Sequence, residues 1–173
     1  MKKLFALILA LGLLCSVASA EETVINWEDM IPVIEASGLE GDFVLLEDLG
    51  LMIWLPEGME SVEVPEDQAA AGRLALFISE DQTAYFAVDA ANVEGMTLDA
   101  YYTNVQAANV EDVEMVTLNG LNAVTYKDND TNVWSAVLVD TNSNIINFIM
   151  GPASDEGSDM VFGIVMSSLQ AVE

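Results

Sequence analysis

Histidine is missing from all 173 residues of the chain, and Cys15 is the single cysteine. Without histidine, neither a Ser–His nor a Cys–His nucleophile pair can form, and the usual zinc ligands are lacking beyond Cys15. Lysine and arginine total only four, which leaves little scope for a Schiff base or for holding an anionic substrate. The sequence therefore predicts no catalytic residue, no cofactor and no metal site.

The first twenty residues have the pattern of a secretory signal peptide. Two lysines precede an apolar run over residues 4–14, and small residues at 18–20 are typical of a signal peptidase site. The run is shorter than the roughly 20 apolar residues that a membrane helix needs. Lipid attachment at Cys15 is disfavoured because the bulky Leu14 directly precedes it. We expect residues 1–20 to be cleaved after Ala20, Cys15 with them, and the protein to be secreted or extracytoplasmic.

Beyond residue 20, Arg73 and Lys127 are the only cations against 29 acidic residues. Such a surface repels nucleic acid and anionic lipid, so we expect no nucleic-acid partner and no membrane insertion after signal removal. The acidic residues are dispersed, which favours a solvated coat, although cation binding or a basic partner stays open. We expect a monomer whose protein or envelope partner the sequence does not identify.

Eight segments have the pattern of β-strands, and several are apolar on both faces. Leu51, Ile53 and Leu55 alternate with Met52 and Trp54, for example. A strand buried on both faces needs a layer on each side of its sheet, and short turns indicate antiparallel pairing. The fold class predicted is α+β, with a single antiparallel sheet of six to eight strands flanked by helices on both faces. The predicted strands are 42–47, 51–55, 74–79, 84–90, 113–118, 121–126, 133–140 and 145–150.

Three amphipathic segments have the pattern of helices, and one turn has a specific type. Polar residues that favour helix starts precede each apolar stripe. Asn119 and Gly120 tolerate the positive φ of a two-residue type I′ hairpin turn. We expect a helical segment at 21–41 to belong to one globular domain with residues 42–173. The expected helix limits are Asn26 to Gly38 or Gly41, Thr97 to Asn109, and Ser154 to Leu169. In the first of these helices, Pro32 indicates either a kink or a later start near Met30.

The order of these pieces resembles a known fold. A strand pair ending in "WLPEG", a helix opened by "MTLDAYY", the hairpin "LNGLNAVTY" and a terminal helix in "PASDEGSDMVFGIVMSSLQ" are similar to the PsbP, Ran-binding Mog and DcrB-type exported proteins. The resemblance covers residues 42–170 and implies an antiparallel sheet flanked by helices, with non-catalytic accessory or binding roles. It carries over no functional residue, and a histidine-dependent metal role has no position in this chain.

Two acidic turns carry part of a calcium-loop spacing. Asp128, Asp130 and Asn132 match the first three ligand positions, but the sixth position is Val133 instead of glycine and the twelfth is Val139 instead of glutamate. The turn that begins at Asp140 fails at the same two positions, with Ile145 and Gly151. We therefore interpret both segments as turns and predict no calcium site.

The aromatic residues could form a binding platform, but their apolar neighbours favour core packing. This interpretation covers Trp54, Trp134, Tyr101 and Tyr102, whereas Trp27 is expected to staple the first helix to the core.

The function predicted is an exported, non-catalytic binding or accessory domain of the bacterial cell envelope or medium. One alternative is a carboxylate-dependent hydrolase acting on glycans, since two of the 29 acidic residues could meet across a cleft. Another is a structural module of an envelope assembly.

Overall fold

The computed structural model describes residues 23–154 and 156–172, without the side chain of Glu156. The predicted signal peptide, Cys15 and the predicted start of the mature chain lie outside these residues, as does Asp155 at the start of the last helix. Within the described residues, no helix is both long and apolar enough to cross a membrane.

An eight-stranded sheet forms the centre of the described chain, in the order β1-β7-β8-β9-β10-β6-β5-β4. Its strands are β1 (Thr23–Ile25), β4 (Met59–Ser61), β5 (Arg73–Ser79), β6 (Tyr85–Asn92), β7 (Val110–Leu118), β8 (Leu121–Asp128), β9 (Val133–Val139) and β10 (Asn144–Gly151). Six of these strands lie within three residues of a predicted segment at each end. The sheet is mixed rather than wholly antiparallel, because β1 runs parallel to β7. The expected large sheet of an α+β fold is confirmed.

The first predicted strand pair does not join this sheet. β2 (Gly41–Leu46) and β3 (Leu51–Pro56) form a separate three-stranded sheet with β11 (Gln170–Ala171), in the order β11-β3-β2. The prediction of a single antiparallel sheet is wrong in this respect. An apolar pattern shows that both faces of β3 are covered, but it does not show which strand lies beside it. Helices on both faces of the large sheet stay a prediction.

The helices of the described chain are α1 (Trp27–Ser37), α2 (Glu66–Ala70), α3 (Leu98–Gln106) and α4 (Glu156–Ser167). Two predicted boundaries are confirmed: Gly38 ends α1 in the left-handed conformation, and the Thr97 side chain caps α3 by accepting the Ala100 N–H at 3.2 Å. The predicted stop at Asn109 is wrong. α3 ends at Gln106, and the Asn109 side chain donates to Asp130 instead.

Two hydrophobic clusters hold these elements together. The larger cluster joins both sheets to α1 and α4 through fully buried residues that include Ile53, Phe86, Phe148 and Leu169. The smaller cluster joins α3 to strands β8 and β9 through Val105, Val124, Tyr126 and Val137. Because the small sheet shares the larger cluster, it is part of the same core as the large sheet.

The β7–β8 hairpin turn ties both ends of the described chain to this core. Asn119 and Gly120 have φ of 47° and 83°, which confirms the predicted pair of positive φ values. The Asn119 side chain accepts the Trp27 N–H at 2.8 Å and donates to the carbonyls of Ser167 and Leu169 at 2.6 and 3.0 Å. One turn residue therefore bonds the first N–H of α1 and a carbonyl at the end of α4.

Candidate functional site

The first acidic turn is closed by its own hydrogen bonds. Asp128 Oδ1 accepts the N–H groups of Asp130 and Thr131 at 2.8 and 3.2 Å, and Asp130 accepts the Asn109 side chain at 2.8 Å. Burial favours the protonated form of Asp128, but the hydrogen bonds from the side chain and N–H of Thr131 and from the Asp130 N–H outweigh it and lower the pKa of Asp128. Within the described residues there is no group of three histidine, cysteine or carboxylate side chains that could hold a metal.

The second acidic turn has the same construction. Asp140 accepts the N–H groups of Asn142 and Asn144, both at 2.8 Å, and also the Asn144 side-chain amide at 2.7 Å. These bonds, with those from Asn144 the strongest, lower the pKa of Asp140. A shallow depression of about 430 Å³ adjoins this turn, and three of its polar lining residues bond to one another, since Asn92 donates to Asn144 at 2.8 Å and Asn144 donates to Asp140 at 2.7 Å. The hydrogen bonds that Asp140 accepts therefore stabilise the backbone of the turn itself.

The aromatic residues considered as a platform are mostly parts of the core. Trp54 is buried, and the Tyr101 hydroxyl lies 3.1 Å from that of Tyr126 within the smaller cluster. Burial is the main cause that raises the pKa of Tyr101, and the hydrogen bond to Tyr126 adds to it. Trp134 is half-buried and stacks on Phe162 with ring centroids 5.2 Å apart. These contacts therefore confirm the predicted core packing of the aromatic residues.

The two cations beyond the predicted signal peptide are both engaged. Arg73 donates two hydrogen bonds to Asp89, at 2.7 and 3.0 Å, and a third to Gln68 at 3.0 Å. Lys127 Nζ lies 5.8 Å from the centre of the Trp134 ring. Neither cation is positioned in a cleft where it could bind an anionic substrate. The strongest remaining candidate for a functional site is the surface formed by α1 and β2.

Apolar side chains remain exposed where α1 meets β2. Phe43 and Leu45 are 40% and 47% exposed, and they point to the same side of β2 because they are two residues apart. The Trp27 ring of α1 lies 5.3 Å from Phe43 and 5.9 Å from Trp54, in centroid distance. The predicted staple is confirmed, since Trp27 packs against the core while one edge of this aromatic group stays at the surface. We call the set of the exposed Phe43 and Leu45 and the half-buried Trp27 the β2 surface.

The strand that carries the β2 surface is the outermost strand of its sheet. In the described part of the chain β2 pairs only with β3, so the backbone groups along its other side have no strand partner. A groove of about 230 Å³ opens beside this edge, between the small sheet and the inner residues of β5 and β6. Its apolar lining includes Val44, Leu45, Leu46, Ala75, Phe77 and Val88, and the acidic Glu47 and Asp48 also line it. The open edge therefore adjoins space that reaches apolar core residues.

The charged residues of β2 and of the segments that flank it along the chain are all acidic. No lysine or arginine occurs between residues 4 and 72, whereas β2 and the segments beside it carry acidic residues. Glu28 and Asp29 lie in the first turn of α1, Asp42 lies in β2, and Glu47 follows the strand. The surface is consequently apolar at its centre and anionic at its rim.

Sequence reasoning missed Phe43 and Leu45 as site residues. Both faces of the segment 42–47 are apolar, and the same pattern is typical of a strand that is buried on both sides. The absence of any cation from residue 4 to residue 72 was the one signal in the sequence that could have singled out this region.

No known protein family and no curated protein matches the chain in sequence. Solved structures do match: cyanobacterial PsbP (CyanoP) from Synechocystis sp. PCC 6803 is 16% identical with a TM-score of 0.53, over 77% of this chain and 92% of that chain. The Saccharomyces cerevisiae Ran-binding protein Mog1p is 12% identical with a TM-score of 0.45, over 78% and 97% of the two chains. A Bacteroides thetaiotaomicron VPI-5482 protein is 15% identical with a TM-score of 0.44, over 72% and 46%.

The likeness to CyanoP confirms the predicted PsbP-like fold. At 16% identity the likeness concerns the fold and transfers no site. The β2 surface is therefore argued from this chain alone.

Proposed function

We propose that the protein is an exported, non-catalytic binding or accessory domain of the bacterial cell envelope or medium. The observation that carries the proposal is the β2 surface: an apolar group on an open strand edge, in a chain without histidine. The PsbP-like fold and the lack of a described metal-ligand cluster support it. Export is supported by the pattern of residues 1–20, which would leave a mature chain starting at Glu21.

Crosslinking in the intact cells that make the protein, followed by mass spectrometry, tests this role. Lysine-directed reagents suit the chain poorly, because Lys127 is its only lysine after residue 3. A reagent that couples carboxylates can instead use the 29 acidic residues. We expect one reproducible protein partner outside the cytoplasm. An intact mass that starts at Glu21 is the expected result for export, and a lipid-modified chain that starts at Cys15 would contradict it.

Two other functions give different results in the same cells. A hydrolase that uses two carboxylates would release reducing ends from cell-wall glycans, and one Asp or Glu substitution would abolish that release. A structural module of an envelope assembly would stay with its partner through purification at high salt. We expect no glycan turnover, and we expect a partner that high salt removes because the binding surface has an anionic rim.

A further inference from the structure

From the β2 surface we infer that the partner is an extended segment of another protein, which alternates basic with apolar residues and adds to the small sheet as a strand beside β2. The inference rests on the proposed binding role and specifies its partner. Strand addition supplies main-chain hydrogen bonds along an open sheet edge, while pockets for alternate side chains supply specificity. β2 offers both features, because its outer edge is unpaired in the described chain and an apolar groove lies beside it.

The alternation of side chains along β2 defines what the added strand meets. Phe43 and Leu45 are exposed on one side of β2, with Phe43 beside Trp27, whereas Val44 and Leu46 pack against the larger cluster; Val44, Leu45 and Leu46 all line the groove. An added strand has the same period of two, so every second side chain would point toward the groove. At about 230 Å³ the groove has room for a small number of aliphatic side chains. The inward positions of the partner are therefore apolar.

Charge complementarity makes the remaining positions basic. Asp42 on β2, Glu47 after it, and Glu28 and Asp29 on α1 form the rim, and the chain has no cation from residue 4 to residue 72. An acidic or neutral strand would meet this field without compensation, whereas lysine or arginine side chains would be attracted and steered to the edge.

The same charge argues against a second copy of this chain as the occupant. Pairing two β2 edges would bring the acidic residues around both strands together, and like charges at an interface oppose association. β1, an end strand of the large sheet, is also an edge and exposes Val24, which is 57% accessible. No residue of β1 lines either of the two cavities described above, and β1 therefore provides a matched control.

The experiment uses the protein purified as its cells make it, with three capped synthetic peptides as probes. The first alternates four lysines with three valines, the second has the same composition in two blocks, and the third replaces each lysine with glutamate. Binding is measured by calorimetry, and the binding edge is located by amide hydrogen exchange. We expect the alternating peptide to bind roughly tenfold more tightly than the block peptide, with no binding of the glutamate peptide.

Two variants with the same change in charge locate the site. Leu45→Lys places a cation on the β2 surface, and Val24→Lys places one on β1; both side chains are exposed, so both variants should fold. We expect Leu45→Lys to weaken binding of the alternating peptide at least roughly tenfold and Val24→Lys to change it less than about twofold. Hydrogen exchange should slow at residues 41–46 on binding.

Several results would overturn the inference. Equal effects of the two variants would do so, as would slowed exchange at residues 23–25 instead of 41–46. Equal binding of the alternating and block peptides would show attraction of charge without strand addition. A dimer that Leu45→Lys dissociates would make a second copy the occupant. A crosslinked cellular partner that joins the protein away from β2 would refute this mode of binding while leaving the proposed accessory role intact.

Discussion

Replacing the half-buried Asn119 should cost more stability than replacing an exposed asparagine in another turn of this fold. Its side chain makes three hydrogen bonds, to Trp27 N–H and to the carbonyls of Ser167 and Leu169. Each such bond contributes about 1 kcal/mol net. Asn119→Gly removes all three but tolerates the φ of 47°, so we expect a loss of about 3 kcal/mol in the free energy of unfolding.

Asn119→Ala should be worse than Asn119→Gly. Alanine loses the same hydrogen bonds and must also adopt a left-handed backbone, which costs a residue with a Cβ roughly 1 kcal/mol more. The expected total is about 4 kcal/mol. In a chain of this length about 3 kcal/mol corresponds to a fall in Tm of roughly 6 to 12 °C. Urea unfolding, followed by circular dichroism and by tryptophan fluorescence, measures these differences.

Asn132 provides the matched control, since it has a φ of 56° in another exposed turn. Asn132→Gly should change the free energy of unfolding by less than about 0.5 kcal/mol, and the gap between its alanine and glycine variants should equal the gap at Asn119. If Asn119→Gly proves as stable as Asn132→Gly, the three hydrogen bonds do not hold the helix ends and the reasoning fails.

Three further predictions concern strain, alkaline pH and cations. Gly72→Ala should destabilise the fold by about 2 kcal/mol or more, because φ is +107° and a Cβ would overlap the Ala90 carbonyl oxygen; urea unfolding of the variant checks this value. Burial raises the pKa of Tyr101 in the folded chain, so the protonated hydroxyl stabilises the fold. This contribution to the free energy of unfolding is complete below the pKa of about 10 that tyrosine has in the unfolded chain, and it is lost as pH rises toward the folded pKa. Between about pH 9 and pH 11, Tyr101→Phe should therefore lose less stability in urea than the parent, and equal losses would contradict this. Finally, about 1 mM calcium should raise Tm no more than magnesium does, with or without Asp128→Ala, since diffuse screening does not select between the ions; a calcium-specific rise that Asp128→Ala removes would show a real site.

Local structure followed from the sequence where the deciding interactions are local. The turn at Asn119 and Gly120, the cap at Thr97 and the end of α1 at Gly38 all depend on residues within one or two turns of the chain. Six strands of the large sheet were recognised because a period of two in apolar residues is a direct consequence of the pleat. These features could be predicted because their free energies depend on neighbours in sequence.

Sheet membership could not be predicted in the same way. The segments 42–47 and 51–55 were recognised as a strand pair, but their pattern contains no information on whether β3 lies beside β11 or beside a strand of the large sheet. β1 and β11 have only three and two residues, which is too short for a periodic pattern to be distinguished. Their pairing depends on contacts between distant parts of the chain.

The candidate site was hidden for a related reason. Phe43 and Leu45 are exposed because β2 is the outermost strand of its sheet, and the same residues in a central strand would be buried. Only the charge was readable beforehand, since it depends on composition alone. The sequence predicted an acidic coat, but only the order of strands in the structure shows that part of this coat forms the rim of the β2 surface.

The hydrogen bonds of Asn119 connect this surface to the rest of the fold. Trp27, which packs on Phe43, is the first residue of α1, and its N–H is held by the hairpin turn of the large sheet. The same side chain holds carbonyls at the end of α4, directly before β11 pairs with β3. The start of α1 and the end of α4 are therefore both hydrogen-bonded to Asn119, a residue that lies outside the small sheet. Removal of the Asn119 hydrogen bonds would loosen both α1, which packs on β2, and the segment that leads into β11. The shape of the β2 surface therefore depends on the large sheet as much as on β2 itself.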